Sequence, residues 1–255
     1  MNLKDILRRK IRKIGYDITR FPLDPESTTR RKKFFEAMSV DTVIDVGANS
    51  GIFGEYTRKK IGYMNKIVSF EPLSSAFAAL KAKADRDPNW SAFNFALGAA
   101  DAKQEINIAG NSYSSSLLGM LPSHVDAAPH SRYVGKEWIE VKTLDGICGT
   151  AFELKGKTYL KIDTQGFEKE VLIGSEGSLA GIDTIQLEMS LVPLYAGESL
   201  FHEMHSYLQQ RGFALIDIEI GFTDPITGRL LQVDGVFQKA PRNDSPGPLV
   251  TGGNL

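Results

Sequence analysis

Thr42-Val43-Ile44-Asp45-Val46-Gly47-Ala48-Asn49-Ser50-Gly51 decides how the chain is read. Its first five residues form a short apolar run of strand length. Gly47 and Gly51 then interrupt it, and a helical pattern follows to Lys60. A strand that turns through glycines into a helix opens a nucleotide-type α/β unit, because glycine lets a ligand approach the backbone closely. Working outward, residues 66–71 form the next strand and 74–84 the next helix. Residues 91–96 read as a third strand, and 103–108 as an extra one. The pattern resumes with a strand at 158–163, a helix from Phe167, a strand at 182–189 and a helix at 200–210. Strands at 213–220 and 230–237 close the domain as an antiparallel hairpin. Strands alternating with helices predict a parallel sheet covered on both faces, with ligands at the carboxyl ends of the strands.

Between these blocks, residues 109–157 are rich in Ser, Gly, Pro and His. They are too long for a plain loop and read as a substrate-side excursion, with a strand at 138–141. The tail from Pro241 is rich in Pro and Gly and is expected to be disordered. The division is therefore a basic helical arm at 1–39, a domain at 40–240 and a tail at 241–255.

With 255 residues, 42% hydrophobic and only 24 Gly and 11 Pro, the chain is long and apolar enough for a packed domain. No apolar run approaches the ~18 residues of a membrane span. There is no secretory pattern, and Cys148 stands alone, so a reducing, cytoplasmic setting is expected. The net charge of −1 hides an asymmetry: residues 1–33 carry eleven Lys/Arg against four Asp/Glu. An acidic body argues against a nucleic-acid partner. Within the arm, Leu3, Ile6, Leu7, Ile11, Ile14 and Ile18 recur at helical spacing among Arg8, Arg9, Lys10, Arg12 and Lys13. A basic amphipathic helix over residues 1–20 suits peripheral contact with an anionic membrane at its inner face. The alternative is a stripe packed on the domain. Oligomeric state is not legible.

Glu71 ends the second strand, twenty residues after Gly51, where a carboxylate can accept hydrogen bonds from ribose hydroxyls. The glycine spacing, Gly47-x-x-x-Gly51-x-x-Gly54, departs from the dinucleotide Gly-x-Gly-x-x-Gly. Asp45, two residues before the first glycine, suits a cationic cofactor such as S-adenosylmethionine better than a pyrophosphate. An NAD-dependent oxidoreductase is the enzyme alternative. A short-chain dehydrogenase would need Tyr-x-x-x-Lys far downstream, and Tyr56 with Lys60 falls in the first helix. A non-catalytic binding module on such a fold is the third reading.

Asp45 to Gly51, Ser69-Phe70-Glu71-Pro72, Ala96-Leu97-Gly98, Leu160-Lys161-Ile162-Asp163-Thr164-Gln165-Gly166-Phe167-Glu168 and Gln186-Leu187-Glu188 together resemble the FkbM-type methyltransferases. The resemblance spans roughly 40–238, and the Lys161-to-Glu168 run is its most specific part. It implies a Rossmann-like class I methyltransferase fold: a mostly parallel seven-stranded sheet, helices on both faces and an antiparallel C-terminal hairpin. It also implies S-adenosylmethionine as cofactor and a hydroxyl of a small molecule or glycan as acceptor, often in sugars, glycolipids, polysaccharides or macrolides. By this resemblance Asp45, Gly47, Asn49 and Gly51 line the cofactor site and Glu71 holds the ribose. Asp101, after the third strand, is a candidate adenine-side contact.

An alcohol is about as weak an acid as water, with a pKa near ~15.7, so methylating it calls for a base or a metal. Asp163, at the end of the fourth strand, is the first candidate base. Lys161, two residues earlier, can stabilise a developing alkoxide. Glu188, at the end of the fifth strand, is a second base or a hydroxyl-binding group. Two adjacent carboxylates can also hold a divalent metal, but no third acidic ligand is evident from spacing. Glu168 opens a helix, where an anion complements the dipole. His202-Glu203-Met204-His205 fails the His-Glu-x-x-His zinc pattern, since residue 206 is Ser. His124 and His130 of the excursion are further acceptor-side candidates. Tyr113, Tyr133 and Trp138 could wall a sugar ring. The serine run 114–116 resembles the family's serine-rich stretch.

Overall fold

The computed structural model describes residues 28–240. The basic arm over 1–20 and the tail from 241 lie outside the described residues. The described chain begins with α1 (Arg30–Met38), then β1 (Val40–Val46) and α2 (Ile52–Tyr56), which widens into a π turn (Thr57–Ile61). Next come β2 (Lys66–Phe70), α3 (Ser74–Ala84), β3 (Trp90–Phe93), β4 (Ala96–Leu97) and β5 (Ala102–Ala109). The excursion holds α4 (Pro122–Ala127), β6 (Tyr133–Lys142) and α5 (Leu144–Ile147). The domain finishes with β7 (Lys157–Ile162), α6 (Glu168–Ile173), β8 (Thr184–Ser190), α7 (Phe201–Gln210), β9 (Phe213–Ile220) and β10 (Gln232–Lys239).

Seven strands form the main sheet in the order β3-β2-β1-β7-β8-β10-β9. The pairs β3–β2, β2–β1, β1–β7 and β7–β8 are parallel, while β10 runs antiparallel to both β8 and β9. This is the Rossmann-like methyltransferase architecture expected above. The chain leaves β1 toward β2 on one side and returns to β7 on the other, so the strand order reverses at β1. A crevice opens at such a switch point, at the carboxyl ends of the strands.

Central burial explains the composition of β1. All its residues but Asp41 are buried, because helices cover both faces. Ile44 and Val46 join one cluster with Val68, Phe70, Leu160 and Ile162. Val43 points the other way, against Phe35, Leu80, Trp90 and Tyr159.

Two regions depart from the sequence reading. The third strand ends at Phe93 instead of continuing to residue 96. Asn94 donates to the carbonyls of Glu71 and Pro72 (2.9 and 3.0 Å), which turns the chain out of the main sheet. Ala96 and Leu97 then belong to a second sheet, β4-β6-β5. The excursion is accordingly not an irregular insert. Its strand runs from residue 133, longer than the expected 138–141, and pairs with β5 from Ala102↔Val141 to Ala109↔Tyr133. Ile106, Ile139 and Val141 of this sheet pack on Leu73 and Ala76 beside α3. The second sheet thus forms a wall over one side of the crevice.

Gly47 shows why glycine is required at the switch point. Its φ is +77°, and a Cβ there would lie 1.9 Å from the Asp163 carbonyl oxygen. The close approach is therefore between the ends of β1 and β7, and not only between backbone and ligand. Gly51, also at positive φ, is confined by Leu80 and Trp90, 2.9 and 3.3 Å from its virtual Cβ. Replacing Gly47 by Ala combines left-handed strain with a clash against rigid backbone. Gly47→Ala is expected to lose about 2–5 kcal/mol of stability, read as a lower urea midpoint with an unchanged slope.

Candidate active site

A cavity of about 590 Å³ opens at the carboxyl ends of β1, β2, β7 and β8. That size suits a cofactor with part of an acceptor. Its lining has two characters. Toward β2 and the second sheet it is apolar, with Phe70, Leu73, Ala96, Leu97, Ile106 and Leu117. Toward β8, β9 and β10 it is polar and acidic. Five carboxylates line the whole cavity (Glu71, Asp163, Glu188, Glu219, Asp234) against two cations, Arg31 and Lys161. Such an excess favours a cationic ligand over a pyrophosphate.

Glu71 stands between the two halves. Its Oε2 accepts from the Asn49 amide (2.8 Å) and its Oε1 from the Leu73 amide (2.9 Å). Burial pushes its pKa up to about 7, against the pull of these two amides. Asn49 sits at φ +47°, a conformation asparagine tolerates, and its Oδ1 accepts from the Ser50 amide. Gly47, Asn49 and Glu71 all line the cavity, as the sequence reading placed them.

Three expected cofactor residues lie off the cavity surface. Gly51 faces the Leu80–Trp90 core, as above. Asp101 Oδ1 accepts the Thr143 amide (2.9 Å) and tethers the second sheet to the chain after it. Asp45 is fully buried behind the Gly47 turn, with its Oδ1 3.5 Å from Lys161 Nζ. Its position suits it to balance Lys161 rather than to meet a cofactor cation.

Register explains this placement. Ser69, Asp45, Lys161 and Gln186 are successive Cα partners across β2, β1, β7 and β8, so they form one polar row on one sheet face. Lys161 lies in its middle, 7% exposed. Its ammonium is 3.1 Å from Asp163 Oδ2 and 5.4 Å from the Phe53 ring. Burial opposes the lysine charge, but Asp163 and Asp45 outweigh it and hold the pKa above the ordinary lysine value. Gln186 accepts from the buried Tyr159 hydroxyl (2.7 Å) and donates to Asp234 (3.1 Å).

Two residues further along the strands lies a second row. Asp234 is the register partner of Glu188 on one side and of Glu219 on the other. Glu219 is met by Arg31 of α1 at 2.6 Å, and that guanidinium also lies over Phe53 and Tyr56. Among the described residues, Glu188 and Asp234 receive only amide donors. Gln165 and Gln232 reach Glu188 Oε2 at 2.7 and 2.9 Å. Burial, then the charges of Asp163, Asp234 and Glu168, raise the Glu188 pKa well above the usual carboxylate range. Asp163 and Glu188 are bridged by Gln165, whose Nε2 also lies 2.9 Å from Asp163 Oδ1. The structure thus brings together Lys161, Asp163 and Glu188, the three residues singled out for chemistry.

Sequence reasoning missed Gln165, Gln186, Asp234, Glu219 and Arg31. Gln165 lay within the most specific run, but nothing in spacing showed what its side chain reaches. Asp234 and Glu219 become visible only through strand register.

Other candidates fall elsewhere. Glu168 does not line the cavity. Its Oε1 accepts from the Thr164 and Gly166 amides (2.8 and 3.2 Å), closing the turn that carries Asp163 and Gln165. Burial raises its pKa to about 7. His124 is buried against Tyr195 and Phe222, and burial lowers its pKa to about 4. His130 lies in the 129–131 turn, off the cavity. His205 packs on Phe201 and Phe237 within α7. Tyr113 lines the cavity, whereas Tyr133 donates to the Leu118 carbonyl and Trp138 stands exposed on the second sheet. Of the serine run, Ser115 lines the cavity and Ser116 Oγ donates to the Gln165 carbonyl (2.7 Å). Among the described residues, no group of three His, Cys, Asp or Glu is arranged to hold a metal ion.

Fold and cleft together are those of a Rossmann-like α/β domain with a cofactor-sized crevice at its switch point. A model of the methyltransferase FkbM domain matches residues 45–215, and the chain belongs to that family. No curated protein matches the chain. Among solved structures it is similar to the methyltransferase FkbM of Methylobacillus flagellatus KT, with 12% identity and a TM-score of 0.47. That match covers 77% of this chain and 43% of the other. A SAM-dependent methyltransferase from Aquifex aeolicus matches at 10% identity and TM-score 0.44, covering 91% and 98%. Magnesium protoporphyrin IX methyltransferase from Synechocystis PCC 6803, solved with bound SAM, matches at 8% identity and TM-score 0.45, covering 94% and 98%.

Glu71 and Glu168 carry a pH signature. Each has a folded pKa of about 7 against an ordinary 4.5, so the folded state holds their protons more tightly than the unfolded state. Their contribution therefore favours folding at low pH and is lost as pH rises from about 4.5 to 7. Glu168→Gln is expected to flatten this part of the stability–pH curve, measured by urea titration at a series of pH values.

Proposed function

We propose that this chain binds S-adenosylmethionine and transfers its methyl group to a hydroxyl, of a sugar in a polysaccharide or glycolipid. The observation that carries this reading is the two-sided cavity, apolar beyond Glu71 and carboxylate-lined beyond Asp163. The residues present fit the cofactor. Glu71 retains lone pairs for ribose hydroxyls beside the Gly47–Asn49 turn, and Phe70, Leu73, Ala96 and Leu97 offer an apolar slot for a flat base. The carboxylate excess complements a sulfonium and an ammonium. When bound, the cofactor supplies a methyl group on a sulfonium, which needs in-line positioning more than covalent help.

This chain's residues supply the rest. Carboxylates at the ends of β7 and β8 take the alcohol proton, and Lys161 steadies negative charge next to Asp163. Glu188, Asp234 and Tyr113 offer hydrogen-bonding groups suited to several hydroxyls of one sugar. Thr28 and, in α1, Arg31 line the cavity, and Thr28 Oγ1 accepts from the Tyr56 hydroxyl (2.9 Å). The basic arm therefore joins the domain at the cavity itself. Contact between that arm and anionic lipid would bring a lipid-linked acceptor to the mouth. No described helix is long and apolar enough to cross a membrane.

Four outcomes are expected. Labelled methyl from S-adenosylmethionine passes to a base-stable ether in envelope glycans incubated with the protein, and its absence from every glycan and lipid fraction refutes the reading. Glu71→Ala weakens S-adenosylhomocysteine binding by about 1.5–3 kcal/mol in calorimetry. In the wild type that affinity rises with pH through about 7, as Glu71 loses its proton and becomes the better acceptor, and Glu71→Gln removes the dependence. Full-length protein binds vesicles of anionic lipid in low salt and is released by high salt, and deleting residues 1–20 abolishes binding while S-adenosylhomocysteine still binds.

A further inference from the structure

Gln165 uses both amide hydrogens and the carbonyl oxygen of its side chain. The two amide hydrogens go to Asp163 Oδ1 (2.9 Å) and Glu188 Oε2 (2.7 Å), and Oε1 accepts from the Tyr195 hydroxyl (2.7 Å). Turning the amide over would aim its carbonyl at two carboxylates, so Asp163 and Glu188 fix its sense and the Tyr195 hydroxyl anchors it from the other end. The backbone is fixed as well. Gln165 has φ +56°, its carbonyl accepts from Ser116 Oγ, and Gly166 beyond it packs on Tyr195. A non-glycine residue in this conformation is uncommon, and such strain is held only where its surroundings determine it.

The bridge treats its two carboxylates unequally. Asp163 has both oxygens engaged, Oδ1 by Gln165 and Oδ2 by Lys161. Glu188 has Oε2 held by Gln165 and Gln232, while its Oε1 makes no hydrogen bond among the described residues and the side chain lines the cavity. The charged neighbours differ too. Lys161 of β7 touches Asp163. Glu188 is faced by Asp163 from the end of β7, Glu168 from α6 and Asp234 from β10, with Lys161 opposing them and the buried Tyr195 beyond Gln165.

We propose that Gln165 is a positioning residue that holds Asp163 in its contact with Lys161 and leaves Glu188 Oε1 as the atom that takes the acceptor's proton. This rests on the methyl-transfer reading, and it reverses the order read from sequence, where Asp163 stood first. In the step, the acceptor oxygen forms its bond to the methyl carbon as the sulfur–methyl bond breaks. The pair of that bond stays on sulfur, the hydroxyl proton passes to Glu188 Oε1, and water later removes it.

The test begins on the cofactor-free full-length protein, with side-chain carboxyls followed by carbon-13 NMR against pH. Several carboxyls are expected above the ordinary range, those of Glu71 and Glu168 at about 7 among them, and Glu188 is the one whose titration answers to Gln165. That titration should vanish in Glu188→Gln and persist in Asp163→Asn at lower pH, because a neighbouring anion has gone. Gln165→Met, close in shape but without the amide, should move it to higher pH. Tyr195→Phe, which loses only the anchor of the amide, should shift it less, in the same direction. Turnover with S-adenosylmethionine and acceptor should rise with pH through the same titration and follow it in each variant. Glu188→Gln should lose at least about a hundredfold and show no such limb. The proposal is overturned if no raised carboxyl is lost in Glu188→Gln, or if the one that answers to Gln165 is lost in Asp163→Asn instead. It is equally overturned if folded Gln165→Met and Tyr195→Phe lower the rate without moving either titration. A wild type that titrates as stated yet methylates no hydroxyl refutes the methyl-transfer reading and leaves the division between the two carboxylates standing.

Discussion

A buried ammonium organises the cleft. Lys161 sits on the central pair of strands, between Asp45 on β1 and Asp163 just past the end of β7. Removing one partner of a buried ion pair typically costs about 3–5 kcal/mol, because the other charge is left uncompensated. Asp45 is therefore committed to the interior, and Asp163 is turned toward the lysine while remaining on the cavity surface. The Gly47 turn closes over this group so tightly that its missing Cβ is occupied by the Asp163 carbonyl. The backbone approach and the charge arrangement depend on each other. If the ends of β1 and β7 moved apart, the ammonium would lose a carboxylate and gain water.

From that centre polarity spreads along the sheet in two rows. The inner row, Ser69, Asp45, Lys161 and Gln186, is joined by the Lys161–Asp45 ion pair, the Ser69 hydroxyl on Asp45 Oδ2 and the Tyr159 hydroxyl on Gln186, while Asp45 Oδ1 accepts no hydrogen bond among the described residues. The outer row, Glu188, Asp234 and Glu219, is acidic and reaches the cavity, and among the described residues only Glu219 has its own arginine. Carboxylates placed side by side in a low-dielectric setting raise one another's pKa. The interior thus has ionic groups held in balance, and the surface facing the acceptor side has an unbalanced negative set. A balanced interior keeps the strand ends in place, and an unbalanced rim is what a ligand can answer.

Much of the fold was legible in local pattern. The apolar run through Val46, the glycines after it and the alternation of strands with helices predicted the parallel sheet. The Lys161-to-Glu168 run and Glu71 pointed to the cleft. The third strand failed locally because nothing in residues 91–96 signals that Asn94 will bond back to Glu71 and Pro72 and eject the chain into a second sheet. Asp45 illustrates a different failure. An acid beside a glycine turn reads as a ligand contact, but its β1–β7 register sets it opposite Lys161.

By itself, then, the sequence determined which segments become strands, where the crevice opens, and that Lys161, Asp163 and Glu188 lie at neighbouring strand ends. Those features follow from period, chain order and the rule that parallel strands end together. Tertiary structure alone decided which carboxylates are neutralised and which stay open. Pairing of charges depends on cross-strand register, which set Asp234 between Glu188 and Glu219, and on elements distant in sequence. Arg31 comes to Glu219 across 188 residues, and Gln165 reaches Glu188 across 23. No local pattern carries such contacts, because burial and electrostatic balance exist only once the strands are side by side.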